Sequence, residues 1–255
     1  MDHRKDRDVS KRRLVSLSLV AWLSGAVLSA VCLGAQPKGH RFGEWPALSA
    51  MIHDRQQKHL NLGQADFLIE IWFKPLAPSK YGAGGTLVSK KCASRSPGYT
   101  LSYNGENLGF AVCDKGTEND RDIDIAANAG IKQNQWCYGA VSYSHSARKL
   151  VLYRDGKKIQ ERGSVELGDI INKDPFCVTY YENMGNSQAH CIAAELRVWK
   201  LAEGLPGNLD ALVAGHQEKP GQLATALTDK AQYSRWVFGP GNDDIKDMGK
   251  NGNTL

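Results

Sequence analysis

The sequence of 255 residues predicts an all-β fold, an antiparallel sandwich or barrel, behind an N-terminal hydrophobic leader helix. Short runs of β-branched and aromatic residues recur from residue 66 onward, with turn residues between them. Two of the separators, Asn104-Gly105 and Asp155-Gly156, are dipeptides that two-residue hairpin turns prefer. Helical signals between the strands are sparse, which disfavours a parallel sheet with crossover helices.

Residues 136–159 predict three consecutive strands joined by two tight turns. Val141 and Tyr143 alternate with smaller neighbours, the period of two that is expected of a strand. A second β-rich run at 150–153 leads directly into Asp155-Gly156 and a third strand. This stretch predicts the middle of the sheet structure.

The other strands are predicted from similar local patterns. Residues 67–75 alternate two faces, and Pro75 ends the run because proline has no N–H for a ladder. Residues 36–62 form a polar lead-in in which an edge strand and a short helix are both open. The remaining predicted elements are strands at 86–90, 99–103, 108–113, 176–181 and 191–200, and a short helix at 208–216.

The N-terminus has the pattern of an export signal. A basic segment ending at Lys11-Arg12-Arg13 precedes an uncharged run over residues 14–35. Residues 1–35 therefore read as a cleaved signal peptide or, because 22 apolar residues can cross a bilayer, as an uncleaved anchor. Both readings predict export to the periplasm, the exterior or the outward face of a membrane, with membrane contact only through residues 14–35.

The charge balance of the exported part argues against nucleic acid as a partner. Residues 36–255 carry 26 basic and 24 acidic residues, a net charge of +2. Affinity for nucleic acid depends on many phosphate contacts by Lys and Arg, and this balance gives no sign of them.

Five of the six cysteines follow the leader, and none forms a C-x-x-C pair, which disfavours a zinc knuckle or a redox motif. Cys177 and Cys191 lie in neighbouring predicted strands, and export permits disulfides. We therefore predict a Cys177–Cys191 disulfide; the alternative is that all five cysteines are buried thiols.

Four blocks, in order, resemble the laminin G-like branch of the concanavalin A-like lectin/glucanase superfamily. The first is FLIEIWFKP at 67–75, similar to F-x-I-E-x-W-x-x-P, and the last is ELRVW at 195–199, similar to E-V-R-I-W. The two between them are formed by residues 87–90 with 98–101 and 108–112, and by Trp136 with 140–143 and 150–157. The resemblance implies a jelly-roll β-sandwich, placed at residues 63–203.

The sequence also departs from this family pattern. Ala194 stands where the closing block usually has Asp, and Cys137-Tyr138 replaces two histidines. Residues 236–253 are similar to the family's first block, which normally precedes the others. Residues 204–255 are therefore predicted to form a short helix and a C-terminal segment, which either returns to complete the sandwich edge or is the remnant of a second repeat.

Glycan-cleaving members of the superfamily need two facing carboxylates, usually on an E-x-D-x-x-E strand. The nearest string, residues 118–124, has the wrong spacing, so hydrolysis is disfavoured. Asp120, Asp122 and Asp124 alternate, and on a strand they would share a face as oxygen ligands for Ca²⁺. The alternatives are a solvated acidic loop or a rival calcium cluster at Asp243, Asp244 and Asp247.

The aromatic residues are predicted to have two roles: some pack in the core, and others contact a ligand. Trp72, Trp136 and Trp199 lie on predicted strands and are assigned to the core. Tyr81 and Tyr181 lie near loops and are the predicted glycan contacts.

These observations predict an exported, non-catalytic binding module that recognises a glycan or glycoprotein through its rim loops, with Ca²⁺ as a candidate cofactor. A structural or adhesive envelope protein is the first alternative, and a glycan-active hydrolase is the second.

Overall fold

The structure, a computed structural model, describes residues 39–42, 50–52, 60–78, 84–91, 96–114, 122–179, 188–218, 223–239 and 248–249. The predicted leader at residues 1–35 lies outside these ranges. Within them, no helix combines the length and the apolar content needed to cross a membrane.

Thirteen strands and two helices are formed by the described residues. The strands are β1 His40–Phe42, β2 Ala50–Ile52, β3 Asp66–Pro75, β4 Gly84–Lys90, β5 Gly98–Asn104, β6 Asn107–Cys113, β7 Ile123–Asn128, β8 Cys137–Ser144, β9 Lys149–Arg154, β10 Lys157–Arg162, β11 Phe176–Val178, β12 Cys191–Leu201 and β13 Gln232–Val237. The helices are α1 Leu209–Glu218 and α2 Thr225–Thr228.

The strands form two antiparallel sheets, as a jelly-roll-like sandwich requires. The seven-stranded sheet has the order β1-β12-β3-β8-β9-β10, and β13 also pairs with β12. The six-stranded sheet has the order β2-β11-β4-β5-β6-β7. The described part of the chain therefore confirms the predicted β-sandwich.

Alternating side chains of both sheets fill the space between them. Ile69 on β3, Val141 on β8 and Leu152 on β9 are directly paired across the sheet and fully buried. The Phe67 ring meets the Phe110 ring of the opposite sheet at 5.8 Å between centroids. Burying this apolar surface, at roughly 25 cal/mol per Å², provides the main stabilisation of the sandwich.

The hairpin turn at Asp155-Gly156 forms as its dipeptide predicts, whereas the turn predicted at Asn104-Gly105 is displaced by one residue, to 105–106, because Asn104 ends β5 and pairs with Asn107. Asp155 and Gly156 have φ angles of +47° and +73° between β9 and β10. Gly105, with φ +58°, begins the turn between β5 and β6. Positive φ angles at a two-residue turn match the right-handed twist of the flanking strands.

A second apolar cluster covers the outer face of the seven-stranded sheet. On β3, Leu68 and Trp72 point away from the sandwich interior and are buried. Val213 of α1 and Leu227 of α2 pack against them. Both faces of β3 are therefore buried, although the strand pattern required only one apolar face.

The C-terminal part of the chain supplies an edge strand. β13 pairs with β12 over residues 232–237, and Trp236 stacks on Phe176 of the opposite sheet at 5.2 Å between ring centroids. The lead-in contributes β1 to one sheet and β2 to the other. β7, which pairs with β6, lies partly in the acidic stretch that carried no strand prediction.

Candidate ligand-binding site

A pocket of about 360 Å³ lies at one end of the sandwich, where β6 and β8 end. We call it the rim pocket. It is lined by Asp114, Tyr143, His145, Arg148, Glu166, Leu167 and Gly168. Three separate segments build it: the residue after β6, the end of β8 with the turn that follows it, and the loop after β10.

The base of the rim pocket holds a buried carboxylate with one unpaired oxygen. Asp114 is buried, and its Oδ2 accepts a hydrogen bond from the backbone N–H of Gly168. Its Oδ1 is also buried, and no hydrogen-bond donor reaches it within the described ranges. A buried oxygen without a donor costs roughly 1–3 kcal/mol or more when charged, so a ligand hydroxyl here would gain unusually from binding.

Tyr143 fixes the loop that closes the pocket. Its hydroxyl donates to the carbonyl of Val165 and accepts from the N–H of Leu167, both at 3.2 Å. Burial raises the pKa of the Tyr143 phenol, so the group stays neutral and keeps both bonds. The position of Gly168 over Asp114 is therefore set by hydrogen bonds.

The mouth of the pocket is polar and of mixed charge. Arg148 Nη1 lies 2.6 Å from Glu166 Oε1, and both side chains are largely exposed. The backbone of Arg148 has φ +50°, a left-handed conformation that is uncommon outside glycine. The exposed His145 ring meets the Tyr143 ring edge-on at 6.2 Å between centroids. Together they offer donors, acceptors and a ring edge to a polyhydroxyl ligand.

The predicted glycan contacts, Tyr81 and Tyr181, lie outside the described residues. The same holds for Asp120 and for the rival cluster at Asp243, Asp244 and Asp247. Sequence reasoning missed the rim pocket. The local signal for it was that Asp114 begins a polar and acidic stretch, residues 114–124, directly after the predicted strand at 108–113.

The other two predicted calcium ligands are placed by the structure. Asp122 directly precedes β7 and forms an ion pair with the buried Nζ of Lys91. Asp124 lies on β7 and is largely exposed; partial desolvation of its carboxyl group and the negative charge of Asp122 raise its pKa. Within the described ranges, no group of three His, Cys, Asp or Glu residues is placed to hold a metal ion. The calcium site stays a prediction, because Asp120 is not among the described residues.

The predicted Cys177–Cys191 disulfide is wrong in this structure. Cys191 on β12 faces the core between the sheets, whereas Cys177 lies between the core residues Phe176 and Val178 on β11 and points to the opposite face. The two cysteines are not bonded to each other. Burial raises the pKa of the Cys191 thiol to about 12, which makes it a poor nucleophile.

The three tryptophans of the strand blocks differ in their surroundings. Trp72 and Trp199 are buried, but beneath the helices on the outer face of the seven-stranded sheet. Trp136 is half-buried, with the ammonium of Lys74 5.5 Å from its ring centroid.

Glu70 is the centre of a buried polar cluster beneath α1. Its Oε1 accepts hydrogen bonds from the Tyr138 hydroxyl at 2.6 Å and from His216 Nδ1 at 2.7 Å. Its Oε2 accepts from Trp199 Nε1 at 2.5 Å. Because a carboxylate only accepts, His216 Nδ1 carries a hydrogen. His216 Nε2 accepts from the N–H of Ala224 at 3.2 Å, so the imidazole links the sheet to the segment before α2.

These donors stabilise the charged form of Glu70. Burial alone would raise the pKa of the carboxyl, but the hydrogen bond from His216, the charge of Arg197 and the hydrogen bond from Tyr138 lower it to about 2. Arg197 is fully buried, lies 4.6 Å from the Trp72 ring centroid and is 2.8 Å from Glu195 Oε1. The cluster is closed to solvent. It therefore attaches α1 and the segment before α2 to the sheet and does not form an open ligand site.

Comparison with known proteins agrees with this architecture. The family model described as the concanavalin A-like lectin/glucanases superfamily, in its laminin G-like group, matches residues 53–202. A search of curated protein sequences finds no match.

Solved structures of several binding domains share the fold. The CBM40 module of Ruminococcus gnavus IT-sialidase, solved with α2,3-sialyllactose, superposes with a TM-score of 0.50 and 13% identity over 67% of this chain and 98% of that module. The binding domain of Paraclostridial Mosquitocidal Protein 1 gives 0.54 and 19% over 69% of this chain and 42% of that domain. The botulinum neurotoxin serotype G binding domain gives 0.52 and 14% over 70% and 42%. At these identities the likeness shows the fold alone.

Proposed function

The chain belongs to the concanavalin A-like lectin/glucanases superfamily, and from this premise we propose that it is a non-catalytic module that binds a glycan in the rim pocket. The observation that carries the proposal is the buried, unpaired Oδ1 of Asp114 at the base of the pocket. This oxygen has almost no accessible surface, so a sugar hydroxyl would reach it once the surrounding side chains shift, and would then form a charge-assisted hydrogen bond, roughly twice as strong as a neutral one.

The side chains at the mouth of the pocket fit a polyhydroxyl ligand better than a small ion. Arg148 supplies guanidinium donors and Glu166 supplies an acceptor, both exposed and adjacent. The family's rigid sandwich with functional loops at its rim is a common arrangement for recognition. The binding domains that share the fold support this reading, since the CBM40 module was solved with a sialylated sugar.

Binding without cleavage is favoured by the surroundings of the two carboxylates of the pocket. In a glycosidase, the general acid is a carboxyl group that its surroundings keep protonated. Glu166 is instead exposed and forms an ion pair with Arg148, and Asp114 accepts a hydrogen bond from the backbone N–H of Gly168.

Export is the second part of the proposal, and it rests on the basic segment and apolar run of residues 1–35. N-terminal sequencing of the protein recovered from the cell exterior or periplasm tests it. A mature N-terminus near residue 36 supports a cleaved signal, and an intact N-terminus in the membrane fraction supports an anchor. Recovery of the full chain from the cytoplasm would contradict export.

The binding proposal is tested by a glycan array, followed by calorimetric titration of the bound sugars. Asp114→Asn retains an amide oxygen for Gly168 N–H but loses the charge at Oδ1. We expect its Kd to rise about 10-fold or more, because a hydrogen bond to a charged group is worth roughly 1.5–3 kcal/mol.

The matched control is Asp229→Asn, the same charge change at an exposed residue after α2. It should leave Kd unchanged. Equal binding by Asp114→Asn and the parent, or no glycan bound by the folded parent, would contradict the proposal. Repeating the titrations with EDTA tests the predicted calcium site at Asp120, Asp122 and Asp124.

A further inference from the structure

A second polar cavity system lies at the end of β6 opposite the rim pocket. β6 begins at Asn107 and Asp114 follows its last residue, which separates the two ends by about 23 Å at 3.3 Å per residue. Two cavities adjoin there, of about 430 and 460 Å³, and both are lined by Asn128. We call them together the asparagine groove.

Three asparagines form a row across three strands in the first cavity. Asn104 pairs with Asn107, and Asn107 pairs with Asn128. Their strand neighbours Tyr103, Leu108 and Ala127 pack against the sandwich interior, so the strand alternation turns the asparagines outward. Adjacent strands lie about 4.8 Å apart, so the row presents several amide donors and acceptors within about 10 Å.

Small residues form the floor beside this row. Ser102, Gly109 and Ala126 are directly paired across the same three strands, two residues further along. A Cβ on Gly109 would meet its nearest neighbour, the Ala126 Cβ, at 3.6 Å. The floor is therefore shallow and open, and the polar groups stand along one side of it.

The second cavity is lined by the cations of Arg154 and Lys157 and by one carboxylate, Asp155, which already has partners within the protein. Asp155 Oδ1 accepts from Tyr138 N–H at 2.9 Å, and Oδ2 lies 2.9 Å from Arg154 Nε. Lys157 is exposed and forms no ion pair among the described residues. Gly130, with φ +56°, leaves room for the Arg154 guanidinium, since a Cβ there would lie 3.3 Å from Nη1.

We infer that the asparagine groove is a second glycan site, selective for a sugar residue that carries an anionic group. The amides of Asn104 and Asn107 would bind the sugar hydroxyls, and the cations of Lys157 and Arg154 would bind a carboxylate or sulfate. Glu106, whose Oε2 is 3.3 Å from Asn128 Nδ2, accepts from this amide and orients it. The inference is independent of the rim pocket, because no residue lines both sites.

The test uses trigalacturonate and a heparin-derived hexasaccharide as anionic probes and maltohexaose as the neutral probe, titrated calorimetrically into the full chain. Binding of either anionic probe more tightly than maltohexaose supports the site, and the better probe identifies the acidic group. Lys157→Gln should weaken that binding about 5-fold, the effect of roughly 1 kcal/mol from an exposed charge pair.

Lys158→Gln is the matched control, because Lys158 is the neighbouring residue on β10, is exposed and pairs with Glu161 at 2.9 Å outside the groove. It should change Kd by less than about twofold. Asn104→Ala should weaken binding as Lys157→Gln does, and Asp114→Asn should not affect it, which separates this site from the rim pocket. Equal losses for Lys157→Gln and Lys158→Gln, no binding of either anionic probe, or equal affinity for maltohexaose would overturn the inference.

Discussion

The carboxylate of Glu70 accepts hydrogen bonds from side chains of three other elements, Tyr138 on β8, Trp199 on β12 and His216 on α1. The sequence pattern of β3 showed only that Glu70 alternates with apolar residues. Because all of these donors are buried, replacing one carboxylate oxygen by an amide NH2 would leave at least one of them without an acceptor and would remove the charge that stabilises the cluster.

Glu70→Gln should therefore reduce the free energy of unfolding at pH 7 by roughly 3 kcal/mol, as expected when one partner of a buried charged cluster is lost. Urea unfolding followed by tryptophan fluorescence measures the change. Glu161→Gln, at an exposed carboxylate paired with Lys149 and Lys158, is the control and should change stability by less than about 1 kcal/mol.

The same residue predicts a pH dependence. The pKa of Glu70 is lowered from 4.5 to about 2 on folding, so its contribution is fully present above about pH 4.5 and is lost as the pH falls toward 2. Between pH 5 and pH 3 the parent should lose more stability than Glu70→Gln. Parallel losses in the two proteins would contradict the assignment of this charge.

At the scale of elements, the turn of the β9–β10 hairpin packs directly against helix α1. Gly156 has φ +73°, and a Cβ there would lie 2.9 Å from Ala214 Cα on α1. The dipeptide Asp155-Gly156 predicted the turn, because glycine adopts positive φ without steric cost. The approach of α1 to this turn was not predictable, since it depends on the packing of a distant segment.

Gly156→Ala should destabilise the protein by more than Gly105→Ala. Both substitutions place alanine in a left-handed conformation, which costs roughly 1–2 kcal/mol. Gly105 has no atom within 4 Å of a Cβ, whereas at Gly156 the helix backbone must also move. Thermal and urea unfolding of the two variants measure the difference, and equal losses would show that α1 does not pack on this turn.

At the scale of the whole molecule, the sandwich is completed by residues far apart in sequence. β13 brings Trp236 into the core, where its ring stacks on Phe176 of the other sheet. Val237, the next residue on the same strand, is 38% exposed. Comparing the stability of variants at these two positions separates the contribution of the buried side chain from that of a surface residue on the same strand.

Trp236→Ala should cost roughly 3–5 kcal/mol, the range for truncating a large buried aromatic side chain. Val237→Ala should remain within about 0.5 kcal/mol of the parent, as surface substitutions usually do. Chemical unfolding of the full chain measures both. Similar small losses for both variants would show that the C-terminal strand is not part of the core.

The sequence by itself determined the local features of this protein: the alternating faces of β3 and β8, the turn at Asp155-Gly156, the strand end at Pro75 and the helix near residue 209. These follow from backbone sterics and from periodicity, which act between neighbours in the chain. The short β1 and β2 were not assigned, because three residues give too little periodicity and their pairing partners are distant.

The tertiary structure alone decided which polar groups meet. The rim pocket joins Asp114, Tyr143 and Gly168, and the asparagine groove joins Asn104, Asn128 and Lys157, from strands that local patterns cannot place side by side. It also placed Cys177 and Cys191 on different faces, against the predicted disulfide. The physical reason is that side-chain proximity across a sandwich depends on strand order and register, which the burial of the whole core sets and no single segment encodes.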